Sequence, residues 1–242
     1  MDRFEPSLDS PNKSWADRLQ ALFEVLLLSG LASSFLASLP FSAVRARGAE
    51  LLLNDVRIVS AFVLLEAGIT LLLLALVLRA RRERLYDLGL RRREWRPNIV
   101  IGLMLVPLLF SANAIISSAF RVYLPKYFSN RNPLTEIIRT PQQLGLFIFS
   151  ALVAGGIKEE LQRAFILTRF RQYLGGERLG LMLWSVAFGA GHYIQGMQGV
   201  VIAAVFGFVF GTVYLIRGTL IAPMVAHGIY DTLALLAYWF YR

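Results

Sequence analysis

The chain contains no cysteine and only two histidines among its 242 residues. The lack of cysteine excludes disulfide frameworks, thiolate metal sites and thiol catalysis outright. Charge is scarce as well: Asp, Glu, Lys and Arg make up 17% of the residues, while hydrophobic residues make up 56%. An ordinary soluble domain is about one quarter charged. The shortage argues against a disordered chain and against a water-soluble enzyme. The charge that is present leans one way, with 25 Lys and Arg against 16 Asp and Glu, a formal +9. In so apolar a chain this surplus reads as the charge that orients membrane spans.

A bilayer core about 30 Å thick needs about 20 mostly apolar residues per helical span. Seven runs qualify: Leu19 to Phe41, Ile58 to Leu78, Ile99 to Phe120, Leu144 to about Leu167, Leu179 to Ile194, Gly199 to Ile216 and Thr219 to Tyr241. In lipid such runs satisfy their own backbone hydrogen bonds as helices. The expected fold is therefore all-α, a polytopic transmembrane bundle of about seven spans, with residues 19–242 as one domain behind a polar tail, residues 1–18. The apolar run after that tail is too long for a signal-peptide core. Ser14-Trp15-Ala16-Asp17 reads as an interfacial turn before the first span.

The segment from Arg79 to Arg96 holds eight arginines, which places it on the cytoplasmic side. Alternation then puts the N-terminus inside and the C-terminus outside. Segments on the inside carry fifteen Lys and Arg, those on the outside eight. The arginine loop has Tyr86 and Trp95 as its aromatics and no folded module around it, so it reads as a lipid-headgroup patch and not a nucleic-acid site. An integral protein of a bacterial inner membrane is the expected setting.

Charged residues within a span cost at least ~2.5–3.5 kcal/mol each on the insertion scale, so those that remain need a partner or a function. The fourth run contains Lys158, Glu159, Glu160 and Arg163. Adjacent carboxylates on a helix point about 100° apart. One can therefore face the bundle interior while the other pairs with Arg163. Both histidines lie in apolar surroundings, His192 in AFGAGHYIQ and His227 in APMVAHGIYD. Helix rise puts them roughly 20 Å and 12 Å from the cytoplasmic ends of their spans, a depth that Glu159 can share. Asp231 follows His227 by four residues and lies on the same helical face. Glu66 and Glu24 read as packing carboxylates, and Ser111 and Asn113 as interhelical hydrogen-bonding groups. Gly207 and Gly211 read as a close-packing GxxxG.

A carboxylate beside an imidazole in a water-poor pocket is a general acid/base apparatus. A second histidine with Asp231 can stabilise an oxyanion. The reaction class that fits is peptide-bond hydrolysis inside the membrane. Two histidines and a glutamate are equally the ligand set of a catalytic zinc, although the HExxH motif is absent. A non-enzymatic scaffold or immunity-type protein and a proton-coupled transporter are the other readings.

Three motifs occur in order: Glu159-Glu160-Leu161-Gln162-Arg163, Phe188-Gly189-Ala190-Gly191-His192, and His227-Gly228-Ile229-Tyr230-Asp231. With them the sequence resembles the CPBP (Abi) intramembrane proteases, relatives of the eukaryotic CaaX-processing endopeptidase. TVYLIRGTLIAPMVAHGIYD is similar to that family's closing run, and LYDLGLRRREW to its basic loop. The family-like core covers about residues 150–235. The resemblance implies an endopeptidase acting on a membrane-associated protein or peptide, with Glu159, His192, His227 and Asp231 catalytic and Glu160 and Arg163 in support. The family label is metalloprotease; if a divalent metal such as zinc binds, the implied ligands are Glu159, His192 and His227. The alternative the resemblance allows is a metal-free glutamate mechanism. Two departures stand out. Two residues separate the Glu pair from Arg163 where the family has three, which sets Arg163 under Glu159 at the four-residue spacing. Asp231 replaces the usual Asn.

Overall fold

Ser14 and Asp17 close a capping box: the Ser14 hydroxyl accepts from the Asp17 amide at 3.2 Å, and the Asp17 carboxylate accepts from the Ser14 amide at 3.1 Å. Helix α1 (Trp15–Leu28) starts there, so the expected interfacial turn is the cap of a helix. The computed structural model describes residues 14–42, 54–91, 95–129 and 131–241, and every regular element among them is helical. Residues 1–13 of the polar tail and Arg92 and Arg93 of the basic loop lie outside the described residues.

After Gly30, whose φ of +99° suits a residue without a Cβ, the chain enters α2 (Leu31–Ser38). The expected first span is thus a helix pair bent by 42°. Two long helices follow, α3 (Val56–Arg81) and α4 (Trp95–Tyr123). The Asp55 carboxylate caps α3 by accepting from the Arg57 amide at 2.8 Å. A single turn, α5 (Pro133–Glu136), precedes a long composite rod. The rod runs through α6 (Pro141–Ala151), a π-helical stretch (Leu152–Glu159) and α7 (Glu160–Tyr173) without a break. Then come α8 (Glu177–Gly191), α9 (Gly196–Arg217) and α10 (Ile221–Tyr241).

Among the described residues four helices are long and apolar enough to cross a membrane, or five if the bent α1–α2 pair is one span. The protein is an integral membrane helical bundle, but the expected count of seven is not reproduced. The two missing spans have clear physical reasons. The rod carries Lys158, Glu159, Glu160, Arg163, Arg169 and Arg171, too much charge for a lipid-facing helix. Helix α8 has 15 residues, short of a full crossing.

The charges on α7 are tolerated because α7 does not face lipid. Every residue from Glu160 to Arg169 is buried, with α1, α8 and α9 packed around the helix. Its charged groups have ion-pair partners within the protein. Glu24 on α1 accepts from Arg81 and Arg169 at 2.6 Å each, and Arg169 grips Glu83 with two bonds of 3.0 and 2.8 Å. Glu24 is thus the hydrogen-bonded packing carboxylate that the sequence reading expected. Gly207 and Gly211 let α9 lie against α8, since a Cβ there would meet Phe188 and Leu181.

Candidate active site

The π-helical stretch brings the rod against α10. Its two glycines, Gly155 and Gly156, remove the side chains that would hold the helices apart. A Cβ on Gly155 would lie 2.7 Å from Asp231 Oδ2 and 3.0 Å from His227 Nε2. One on Gly156 would reach the Gly228 Cα at 3.4 Å. The α10 side chains therefore rest on bare backbone, next to Glu159 and Glu160. Local π geometry of this kind recurs at functional sites.

His227 is held on two sides. Its ring stacks on Phe210 with centroids 4.7 Å apart and planes 21° apart. Its Nδ1 lies 2.8 Å from Glu160 Oε1. An ionised carboxylate only accepts, so Nδ1 donates. Nε2 then points to Asp231 at 3.5 Å and to Glu159 at 3.8 Å. Glu160 has no exposed surface and is paired also with Arg163, whose guanidinium sits 4.8 Å from the Phe188 ring and 5.4 Å from the Phe210 ring. Aromatic faces stabilise a cation in a dry interior.

Spacing alone leaves Arg163 within reach of either carboxylate, and the structure gives it one. Arg163 pairs with Glu160 across three residues, not with Glu159 across four. The π stretch ends at Glu159, and its wider turn puts that residue out of the row that α7 begins at Glu160. Glu159 is left partly exposed, its side chain 19% accessible, while Glu160 is sealed.

His192 caps the C-terminus of α8. Its Nδ1 lies 2.8 Å from the Phe188 carbonyl, which can only accept, so Nδ1 carries the proton and Nε2 the lone pair of the neutral ring. Phe188 separates the two imidazoles, 4.6 Å from His192 and 6.4 Å from His227 by ring centroids.

Glu159, His192, His227 and Asp231 all line one cavity of about 470 Å³. That size falls within the range of ligand pockets, about 300–1,000 Å³. Polar side chains also stand on its wall, among them Asn113, Ser129, Arg131, Asn132, Gln195 and Gln198. Asn113 donates to the Tyr230 hydroxyl at 2.7 Å, Ser117 to Asn113 at 3.1 Å, and Gln198 to Ser117 at 2.8 Å. This chain ties α4 to α9 and α10, as expected for Asn113. Ser111, expected to do the same, instead donates to the Pro107 carbonyl of its own helix at 2.8 Å.

As a metal centre the residues do not fit. Among the described residues no three His, Asp or Glu side chains are grouped as a metal ion requires.

Two features escaped the sequence reading. Tyr230 lies on the cavity wall, and only its place inside the third motif could have drawn attention to it. Glu66 is the packing or hydrogen-bonded carboxylate expected, accepting from Ser33 at 2.7 Å and Thr70 at 3.1 Å, but its ion pair with Lys158 at 2.9 Å was not foreseen.

Residues 140–233 match a family model named Rce1-like. The family model they match is described as type II CAAX prenyl endopeptidase. No curated protein and no solved structure matches the chain. The Rce1-like segment starts at the cap of α6 and ends within α10, so it contains all of Glu159, Glu160, Arg163, His192, His227 and Asp231. Helices α1 to α4 lie outside it.

Proposed function

We propose that the protein is an intramembrane endopeptidase that hydrolyses a peptide bond of a membrane-associated protein or peptide with a water activated by Glu159. The observation that carries this reading is the division of labour between the adjacent glutamates. Glu160 is sealed between Arg163 and His227, whereas Glu159 faces the cavity beside two imidazoles. Glu159 takes a proton from water as the oxygen attacks the carbonyl carbon. His192, with the Nε2 lone pair of its neutral ring, assists that transfer. The carbonyl oxygen gains negative charge, and His227, carrying a proton on each nitrogen between the carboxylates of Glu160 and Asp231, presents Nε2–H to it. Asp231 orients His227 from one turn further along α10, which suits an Asp at that position. The C–N bond then breaks, and the proton held by Glu159 passes to the leaving amine. The glutamate–histidine route needs no ligand set, and none of its steps runs through a metal.

With the arginine-rich loop on the cytoplasmic side, the N-terminus is cytoplasmic and the C-terminus outside. The cavity wall at Ser129, Arg131 and Asn132 then faces outward. The setting is a bacterial inner membrane.

The test is cleavage of farnesylated and unmodified membrane peptides by purified protein in detergent. Glu159→Gln and His192→Ala are each expected to lose at least about 100-fold in kcat/KM, with thermal unfolding unchanged. Full activity in either variant refutes the reading. EDTA and phenanthroline are expected to leave the wild-type rate intact; loss of rate restored by zinc would replace this mechanism with a metal-dependent one.

A further inference from the structure

Helices α2 and α3, outside the Rce1-like segment, reach Glu159 through a buried lysine. Lys158 is buried on the π-helical stretch and is 7% exposed. Its Nζ lies 2.9 Å from Glu66 Oε2 and 3.8 Å from Glu159 Oε1. The other oxygen of Glu159, Oε2, is the one that faces His227 Nε2 at 3.8 Å. The Glu159 carboxylate is thus stretched between an ammonium on one oxygen and an imidazole on the other.

The ammonium is itself anchored. Glu66 stands mid-way along α3, and its Oε1 accepts from Ser33 on α2 and Thr70 on α3. Both oxygens of Glu66 are therefore occupied, one by two hydroxyls and one by Lys158. A long lysine side chain has many rotamers. Here it has a single fixed acceptor at its tip, which leaves the ammonium at one place beside Glu159. An ion pair placed only to stabilise a core is commonly replaceable by apolar residues at no loss. This one lies one residue before Glu159 and touches it.

We propose that Lys158, clamped by Glu66, is a positioning residue for Glu159: it holds Oε1 so that Oε2 is presented to water beside His227. The inference rests on the proposed hydrolysis by Glu159. It assigns to α2 and α3 a direct part in ordering the site, through Ser33, Glu66 and Thr70.

The experiment compares Lys158→Met, Lys158→Arg and the double variant Glu66→Gln with Lys158→Met, all as purified full-length protein. Rates are normalised to the folded fraction by size exclusion. Lys158→Met is expected to lose about tenfold or more in kcat with KM within about twofold, since an ordering role is expressed in turnover. Lys158→Arg restores part of the rate. The double variant removes both charges, so no buried charge is left without its partner, and it folds and inserts even if the single variant does not. It is expected to stay as slow as Lys158→Met. Wild-type kcat in the double variant would show that the pair only stabilises the fold and would overturn the inference. Undiminished cleavage by Glu159→Gln would instead overturn the proposed hydrolysis, and the inference with it. The two failures are therefore distinguishable.

Discussion

A methyl group at Gly155 is the sharpest probe of the site, because that backbone is in contact with both α10 groups. The added Cβ would lie 2.7 Å from Asp231 Oδ2 and 3.0 Å from His227 Nε2, where ordinary contacts begin at 3.4 Å. The carboxylate must therefore retreat by about 0.7 Å and the imidazole by about 0.4 Å, the differences between those distances. Asp231 yields by rotation, because the touching atom is the end of its side chain. His227 has less freedom, since it is stacked on Phe210 and bonded to Glu160. Displacement of a catalytic group by about 1 Å can cost about 100-fold. The expected loss for Gly155→Ala is thus about tenfold to 100-fold in kcat. Replacing a helical glycine by alanine gains up to about 1 kcal/mol, which offsets the crowding, so the thermal midpoint should move little. Gly156→Ala is the control. Its Cβ would meet only backbone at 3.4 to 3.7 Å, and activity should stay within about twofold. Peptide cleavage and thermal unfolding of both variants in detergent decide the matter. Wild-type turnover in Gly155→Ala, or an equal loss in Gly156→Ala, would refute the placement of His227 and Asp231 against this backbone.

Two further outcomes are expected. Arg163→Met strips Glu160 of its cation in a site without solvent, leaving His227 as its partner; removal of one member of a buried pair costs about 3–5 kcal/mol, to be read as a lowered midpoint in denaturant titrations. The absence of native cysteine makes topology directly measurable: with Arg84→Cys and Arg131→Cys, both at exposed positions, a membrane-impermeant thiol reagent applied to intact cells should label Cys at 131 and spare Cys at 84. The reverse pattern would invert the orientation.

Much of the architecture was legible in the amino-acid order alone. Long apolar runs with little charge read as membrane helices, and the cost of each exception marks Glu159, Glu160, Arg163, His192, His227 and Asp231 as residues needing a partner. The span count was less legible, because hydropathy does not distinguish a helix in lipid from one wrapped by other helices. The rod from Pro141 to Tyr173 carries its charges because its neighbours shield and pair them. Which glutamate meets which partner was not readable at all. Spacing left Arg163 within reach of either one, whereas in the structure Arg163 pairs with Glu160, and Glu159, at the end of the π stretch, is left to the cavity. The Glu66–Lys158 contact joins positions 66 and 158, far apart in the chain. The sequence determined which polar groups would be costly in a membrane, since that depends on each residue and its immediate run. Only the tertiary structure decided how they pair, since pairing depends on the rotation and approach of helices that no local pattern encodes.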